Sequence, residues 1–236
     1  MIRAIVFLAS LAVAALLLAG PGVRLGMWPF PVGFQILKYA AFTGAGVALL
    51  ATIALVVPRT RRAGASALVI AAVLGSATFA LPWWQLQQAR KVPPIHDIST
   101  DTTEPPTFVE VLALRRDARN SAEYGGAEIA EQQHRAYPDL QPLHLALAPA
   151  AAFDVALTSA RAMDWDIVAS DAAQGRIEAT DTTLWFGFKD DVVVRVRADG
   201  DGSRVDVRSV SRVGQSDVGA NARRIRNYLA RLREAH

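Results

Sequence analysis

Residues 1–90 hold no Asp or Glu, and three long apolar runs fill most of that stretch, at about 4–20, 34–57 and 64–84. Each approaches the ~20 residues an α-helix needs to cross a bilayer. A backbone in lipid has to satisfy its own hydrogen bonds, so helix is the form such runs must take. None carries an ionisable residue at its centre. Lys38 stands at the start of the second, where its stem can reach the headgroups. A chain with this feature cannot fold as one water-soluble domain. The expectation is a membrane domain over 1–90 with three transmembrane helices, then a soluble domain over 91–236.

Charge supports the division. Residues 1–90 contain seven basic residues (Arg3, Arg24, Lys38, Arg59, Arg61, Arg62 and Arg90), a net +7. All 22 acidic residues lie in 91–236 beside the other 18 Lys and Arg, a net −4. The isoelectric point near 9.6 averages two unlike halves and does not point to nucleic acid as a partner. A composition 52% hydrophobic without Cys excludes a disordered chain and a disulfide scaffold.

Arg59, Arg61 and Arg62 crowd the connection between the second and third runs, which by the positive-inside rule stays cytoplasmic. The N-terminus is then also cytoplasmic, and everything after Trp84 emerges in the periplasm. This predicts a multi-pass protein of the cell inner membrane. Trp28, Trp83 and Trp84 fall at run edges, as in an aromatic belt. The first run also suits a cleaved signal peptide, although no small-x-small site follows it. Small residues recur every four positions, at Ala63, Ala67, Ala71 and Gly75, and at Ala41/Ala45 and Gly44/Ala48. Such stripes let helices approach closely within one bundle; they also offer a face for a homo-oligomer or an envelope protein partner. The lack of intramembrane carboxylate or His argues against a transporter.

Beyond a Pro-rich connector (Pro93, Pro94, Pro105, Pro106), residues 108–114 read as a strand and 115–136 are polar and without a clear period. Pro149 opens a helix with Phe153, Ala156, Leu157 and Ala160 on one face. Strands follow at 165–169, 176–180, 192–197 and 204–208, the last two joined by an Asp-Gly turn at 199–202. Ser216 or Asp217 can cap a final helix striped by Val218, Ala222, Ile225, Leu229 and Leu232. The fold class expected is α+β, an antiparallel sheet with a long C-terminal helix, behind three transmembrane helices. Thr-Asp-Thr-Thr occurs at 100–103 and 180–183, a match too short to mark a repeat.

Chemistry is sparsely signalled. His96, His134, His144 and His236 show no metal-ligand spacing, and neither a metal nor a cofactor is expected. Phosphate-binding loops and nucleophile elbows are absent from the sequence. Asp190 and Asp191 could be an acid–base pair, but neighbours on a strand face opposite ways. A triad of His96 and Asp97 with Ser209 or Ser211 has no support in the spacing. The richest stretch is 208–221, with Arg208, Ser209, Ser211, Arg212, Ser216, Asp217 and Asn221, running from a strand end through a Gly turn into a helix start. Free N–H groups there attract anions, and Arg208, Arg212 and Arg224 could add charge. The same residues could equally be structural: Ser216 and Asp217 capping the helix, Asn221 bonding a loop, the arginines pairing with Asp190 or Asp191. Both readings stand on the sequence.

Phe186-Gly187-Phe188-Lys189-Asp190-Asp191-Val192, then Arg208-Ser209-Val210-Ser211-Arg212-Val213-Gly214-Gln215-Ser216-Asp217-Val218-Gly219-Ala220-Asn221 and Arg224-Ile225, resembles the bacterial family catalogued as domain of unknown function 1499. The likeness covers about 185–226 and implies a domain beginning near 93. Many members carry a Cys near Pro-Asn-Cys-Val-Ser at the front, where this chain has Pro93-Pro94-Ile95-His96-Asp97. A role tied to that Cys does not transfer. The resemblance implies an envelope setting and no activity. The functional expectation is a non-catalytic periplasmic domain that binds an envelope partner or ligand; the rival class is an envelope hydrolase acting on a polar or anionic substrate.

Overall fold

The computed structural model describes residues 1–235, so His236 lies outside the described residues. Two compact units are present, Met1–Lys91 with Leu184–Gly187, and Val92–Thr183 with the chain from Phe188 onward.

The first unit contains α1 (Ile2–Arg24), α2 (Phe30–Val56) and α3 (Pro58–Ala89), each long and apolar enough to cross a membrane. At about 1.5 Å per residue, even the 23 residues of α1 exceed the ~30 Å hydrocarbon core. Small residues set the packing of α2 on α3. A Cβ on Gly44 would lie 2.7 Å from the Gly75 carbonyl oxygen, and one on Gly75 would lie 2.6 Å from the Gly44 oxygen. Ala51, Leu68, Ala71 and Thr78 are buried along the bundle while Leu49, Ile53, Ile70 and Val73 face outward, as an environment of lipid allows.

The second unit is an antiparallel sheet with helices packed against it. Its strands are β1 (Asp97–Ser99), β2 (Leu143–Leu145), β3 (Asp166–Asp171), β4 (Arg176–Thr182), β5 (Lys189–Asp199) and β6 (Gly202–Ser211). The order is β1-β6-β5-β4-β3, with β2 pairing β6 further along the edge that β1 occupies. The helices are α4 (Gly126–Ala136), α5 (Pro149–Arg161) and α6 (Ala220–Glu234). Strand alternation sends Val192, Val194 and Val196 of β5 and Val205 and Val207 of β6 to one face, where they meet Phe153 and Ala156 of α5 and Ile225, Leu229 and Leu232 of α6. Burial of each of these Val, Leu, Ile and Phe side chains contributes about 1.5–3 kcal/mol. Trp165 stacks on Tyr228 at 4.8 Å, and the Tyr228 hydroxyl donates to the Ala156 carbonyl at 2.8 Å.

The strand expected at 108–114 is instead a 3₁₀ helix over Glu110–Arg115. Phe108, Val111 and Arg115 are buried while Val109, Leu112 and Leu114 are exposed, a spacing of three to four rather than two. The N–H groups of Val109 and Val111 donate to the Glu178 carboxylate instead of to a strand ladder. In β3 the register shifts between Ile167 and Ala169, and Val168 packs with Phe108, Val111, Val193 and Val210.

The Asp-Gly hairpin forms as expected: Asp199 faces Gly202, and Gly200 at φ +56° takes the first turn position. Gly175 has φ +63°, and a Cβ there would lie 2.1 Å from the Val196 carbonyl oxygen, whereas nothing lies within 4 Å at Gly200. Both Gly→Ala changes strain φ, a penalty of about 1–3 kcal/mol, but only Gly175→Ala also collides with backbone. Gly175→Ala is therefore expected to lower the urea midpoint of the full-length protein clearly more than Gly200→Ala. Equal losses would show that the close approach of Gly175 to β5 does not matter.

Candidate functional site

The face of the sheet away from α5 and α6 is lined with charge that is nevertheless buried. Glu178, Asp191 and Asp206 are all at 0% exposure and Arg208 is at 2%. Isolated charges there would be prohibitive, so each needs several partners. Asp191 accepts from Arg115 Nη1 at 2.5 Å, from Arg212 Nε at 2.9 Å and Nη2 at 2.7 Å, and from Thr180 Oγ1 at 2.7 Å. Arg208 donates to both oxygens of Asp97 at 2.9 and 2.7 Å and to the carbonyls of Pro106 and Ala122. Its guanidinium also lies over the rings of Phe108 and Tyr124. Asp206 accepts from Arg195, Arg197 and Arg204. Arg195 and Arg204 in turn reach Asp101, which accepts the N–H groups of Thr103 and Glu104.

On the opposite face a second group joins β5 and β6 to α6. Arg224 donates through Nε to Asp181 at 2.6 Å and through Nη2 to Asp190 at 2.6 Å, and its Nη1 reaches Ser209 and Asn221. Ser209 Oγ donates to Asn221 Oδ1 at 2.8 Å, and Asn221 Nδ2 donates to the His96 carbonyl and to Ser211 Oγ. Asp217 accepts the N–H of Gly219 at 2.8 Å and of Asn221 at 2.6 Å, and so covers donors of the first turn of α6 from just outside it. Ser216 Oγ accepts from the Val218 N–H.

The stretch 208–221 is thus divided by strand parity. Arg208 and Arg212 share the charged face with Asp191. Ser209, Ser211 and Asn221 share the helix face with Asp190 and Arg224, and Ser216 and Asp217 organise the approach to α6. The three arginines do not converge: Arg208 pairs with Asp97, Arg212 with Asp191, Arg224 with Asp190 and Asp181. The His96 imidazole turns to the Gln215 carbonyl, and the partners of Ser209 are Asn221 and Arg224. Among the described residues no three His, Asp or Glu side chains are grouped to hold a metal ion.

Asp101, Arg115, Glu178, Thr180, Asp181 and Asp206 complete these networks and were not foreseen as site residues, and Asp97, weighed from the sequence only as a triad member beside His96, is instead the partner of Arg208. The available signal was parity. Arg195, Arg197, Asp206 and Arg208 alternate with valines, and mixed signs on one parity are what a paired, covered face requires. Two open clefts adjoin the charged face. One of about 440 Å³ is bordered by Thr102, Thr103, His134, Gln141 and Arg204, and another of about 330 Å³ by His96, Asp97, Arg119, Asn120 and Glu123.

Burial pushes the Asp191 carboxyl up, but the hydrogen bonds from Arg212, Thr180 and Arg115 outweigh it and hold the group below the usual carboxylate range. A depressed folded-state value contributes stability above the unfolded value near ~3.9, and that stability is lost as pH falls through the folded value. Asp97 and Asp217, pushed up by burial, act in the opposite sense. Comparison with Asp191→Asn therefore isolates Asp191. The variant is expected to lose about 3–5 kcal/mol at pH 7, because Arg115 and Arg212 stay buried without their carboxylate. It should also lose less on further acidification from pH 5 to 3 than the parent does. Melting curves across that range check both; parallel losses would remove Asp191 from the acid response.

No curated protein matches the chain closely enough to be informative. The family model described as "Protein of unknown function (DUF1499)" matches residues 97–232. That span runs from Asp97, the partner of Arg208, to Leu232 in the stripe of α6, and so takes in both networks. The chain belongs to this DUF1499 family.

Proposed function

We propose that the protein is a non-catalytic, multi-pass inner-membrane protein whose C-terminal domain stands in the periplasm and binds a polar ligand or partner protein of the envelope. The observation that carries the reading is the commitment of the motif's reactive groups. Asp97, Asp190 and Asp191 are each engaged by arginine, and Ser209 is tied to Asn221 and Arg224. A general base or nucleophile has to be free to meet substrate. These groups instead build a stiff platform, and recognition falls to the 440 Å³ cleft, whose wall is polar, with Thr102, His134, Gln141 and Arg204 along it.

The side of the membrane rests on Arg59, Arg61 and Arg62, which the structure places in the first turns of α3, ahead of its apolar run. Held in the cytoplasm, they direct the end of α3, and all that follows, to the periplasm. An alkaline phosphatase fused after His236 is expected to be active and one fused at Arg61 inactive; the reverse pattern would overturn the orientation. A photo-crosslinking residue at Gln141, introduced in living cells, is expected to give a discrete adduct that the same residue at Arg161 on α5 does not. Identical patterns at both positions would defeat the assignment of the cleft.

A further inference from the structure

We propose that Leu184-Trp185-Phe186, in the connection between β4 and β5, is a membrane-inserted loop whose indole N–H replaces a hydrogen bond that α1 loses inside the apolar layer. Pro21 lies within α1 and has no N–H, so the carbonyl of Leu17, four residues earlier, lacks its helical donor. In lipid no water is at hand, and a freed carbonyl of this kind needs a substitute donor. Trp185 Nε1 supplies it, donating to the Leu17 carbonyl at 3.4 Å.

The rest of the loop suits the same setting. The Trp185 indole lies so close to Gly20 that a Cβ there would be 2.6 Å from its Cδ1. The Phe186 ring stands 5.2 Å from that of Phe34, and Arg24 donates to the Leu184 carbonyl at 2.6 Å. Leu17, Gly20, Arg24 and Phe34 all belong to the end of α1 or the start of α2, near Trp28. Aromatic rings together with a basic residue at one end of apolar spans is the composition of a bilayer interface. Leu184 is 88% exposed. A leucine presented this fully beside lipid-facing helices has the acyl chains of the surrounding bilayer as its contact.

The chain has no Cys, so Leu184→Cys gives a single labelling site in the full-length protein. A nitroxide there, in phosphatidylglycerol/phosphatidylethanolamine nanodiscs, is read by collision with oxygen, which concentrates in lipid, and with a water-soluble nickel chelate. Leu11→Cys on α1 serves as the lipid reference and Asp201→Cys in the β5–β6 turn as the aqueous one. The oxygen-to-nickel ratio at 184 is expected to be several-fold above that at 201 and below that at 11, as for a residue inserted near the interface; a ratio like that at 201 overturns insertion. The hydrogen bond is tested separately by Trp185→Phe, which keeps a ring and removes the donor. The melting temperature should fall in the parent and fall less in a Pro21→Ala background, where the residue-21 N–H returns to the Leu17 carbonyl. Equal falls in the two backgrounds overturn the donor role.

Discussion

Asp191 is a carboxylate without solvent contact, and much of the second unit is arranged so that it can stay charged. Its partners come from three places: Arg115 from the 3₁₀ segment, Arg212 from just beyond β6, and Thr180 from β4. A buried ion pair is not in itself a source of stability, because desolvation can cancel the attraction. Breaking one is another matter, since it strands charge. The segment from Asp101 to Ala122 has little apolar surface to anchor it beyond Phe108 and Val111. It is held because its carbonyls, N–H groups and Arg115 are the partners that Arg208, Glu178, Asp191 and Arg212 require.

The sheet therefore carries two chemistries on its two faces. The face toward α5 and α6 follows the hydrophobic effect, with valines against Phe153, Ile225 and Leu229. The other face follows electrostatic satisfaction and imposes geometry. A valine contact tolerates small shifts, whereas a bidentate guanidinium–carboxylate pair such as Arg208–Asp97 does not. Arg224 extends that specificity to the apolar side, locking the start of α6 onto Asp190 and Asp181. The stretches 186–192 and 208–225 of this chain coincide with these pairs, which makes them a folding specification as much as a surface.

The helical unit obeys the same requirement under other conditions. Here few charges need partners, and the polar groups at risk are backbone ones. Gly44 and Gly75 bring two backbones together, Thr52 and Thr78 return their hydroxyls to carbonyls one turn back, and Trp28 donates to the Ala19 carbonyl. In both units the decisive question is where each polar group finds its partner once water has gone.

The three helices were legible in the sequence because length and apolarity act locally: about twenty such residues without a charge can do little else in a bilayer. The hairpin at Gly200, α5 and the body of α6 were legible for the same reason, each being set by a period or a turn residue within the segment, although Val218, expected in the α6 stripe, lies ahead of Ala220 with φ +55° and is exposed. The opposed directions of Asp190 and Asp191 followed from strand alternation alone. The 3₁₀ segment at Glu110–Arg115 was not legible, because Val109 and Val111 take their form from Glu178, nearly seventy residues away in the chain. Arg208 marked itself as important, but its partner, Asp97, is 111 residues distant. Sequence by itself determined the three long helices, the strands from β3 to β6, α5 and α6, and the division into an apolar and a charged unit, since those depend on neighbours in the chain; β1, β2 and α4, short and without a clear period, were not among them. Only the tertiary structure decided which acid meets which base, because a buried charge selects its partner by position in space and not by distance along the sequence.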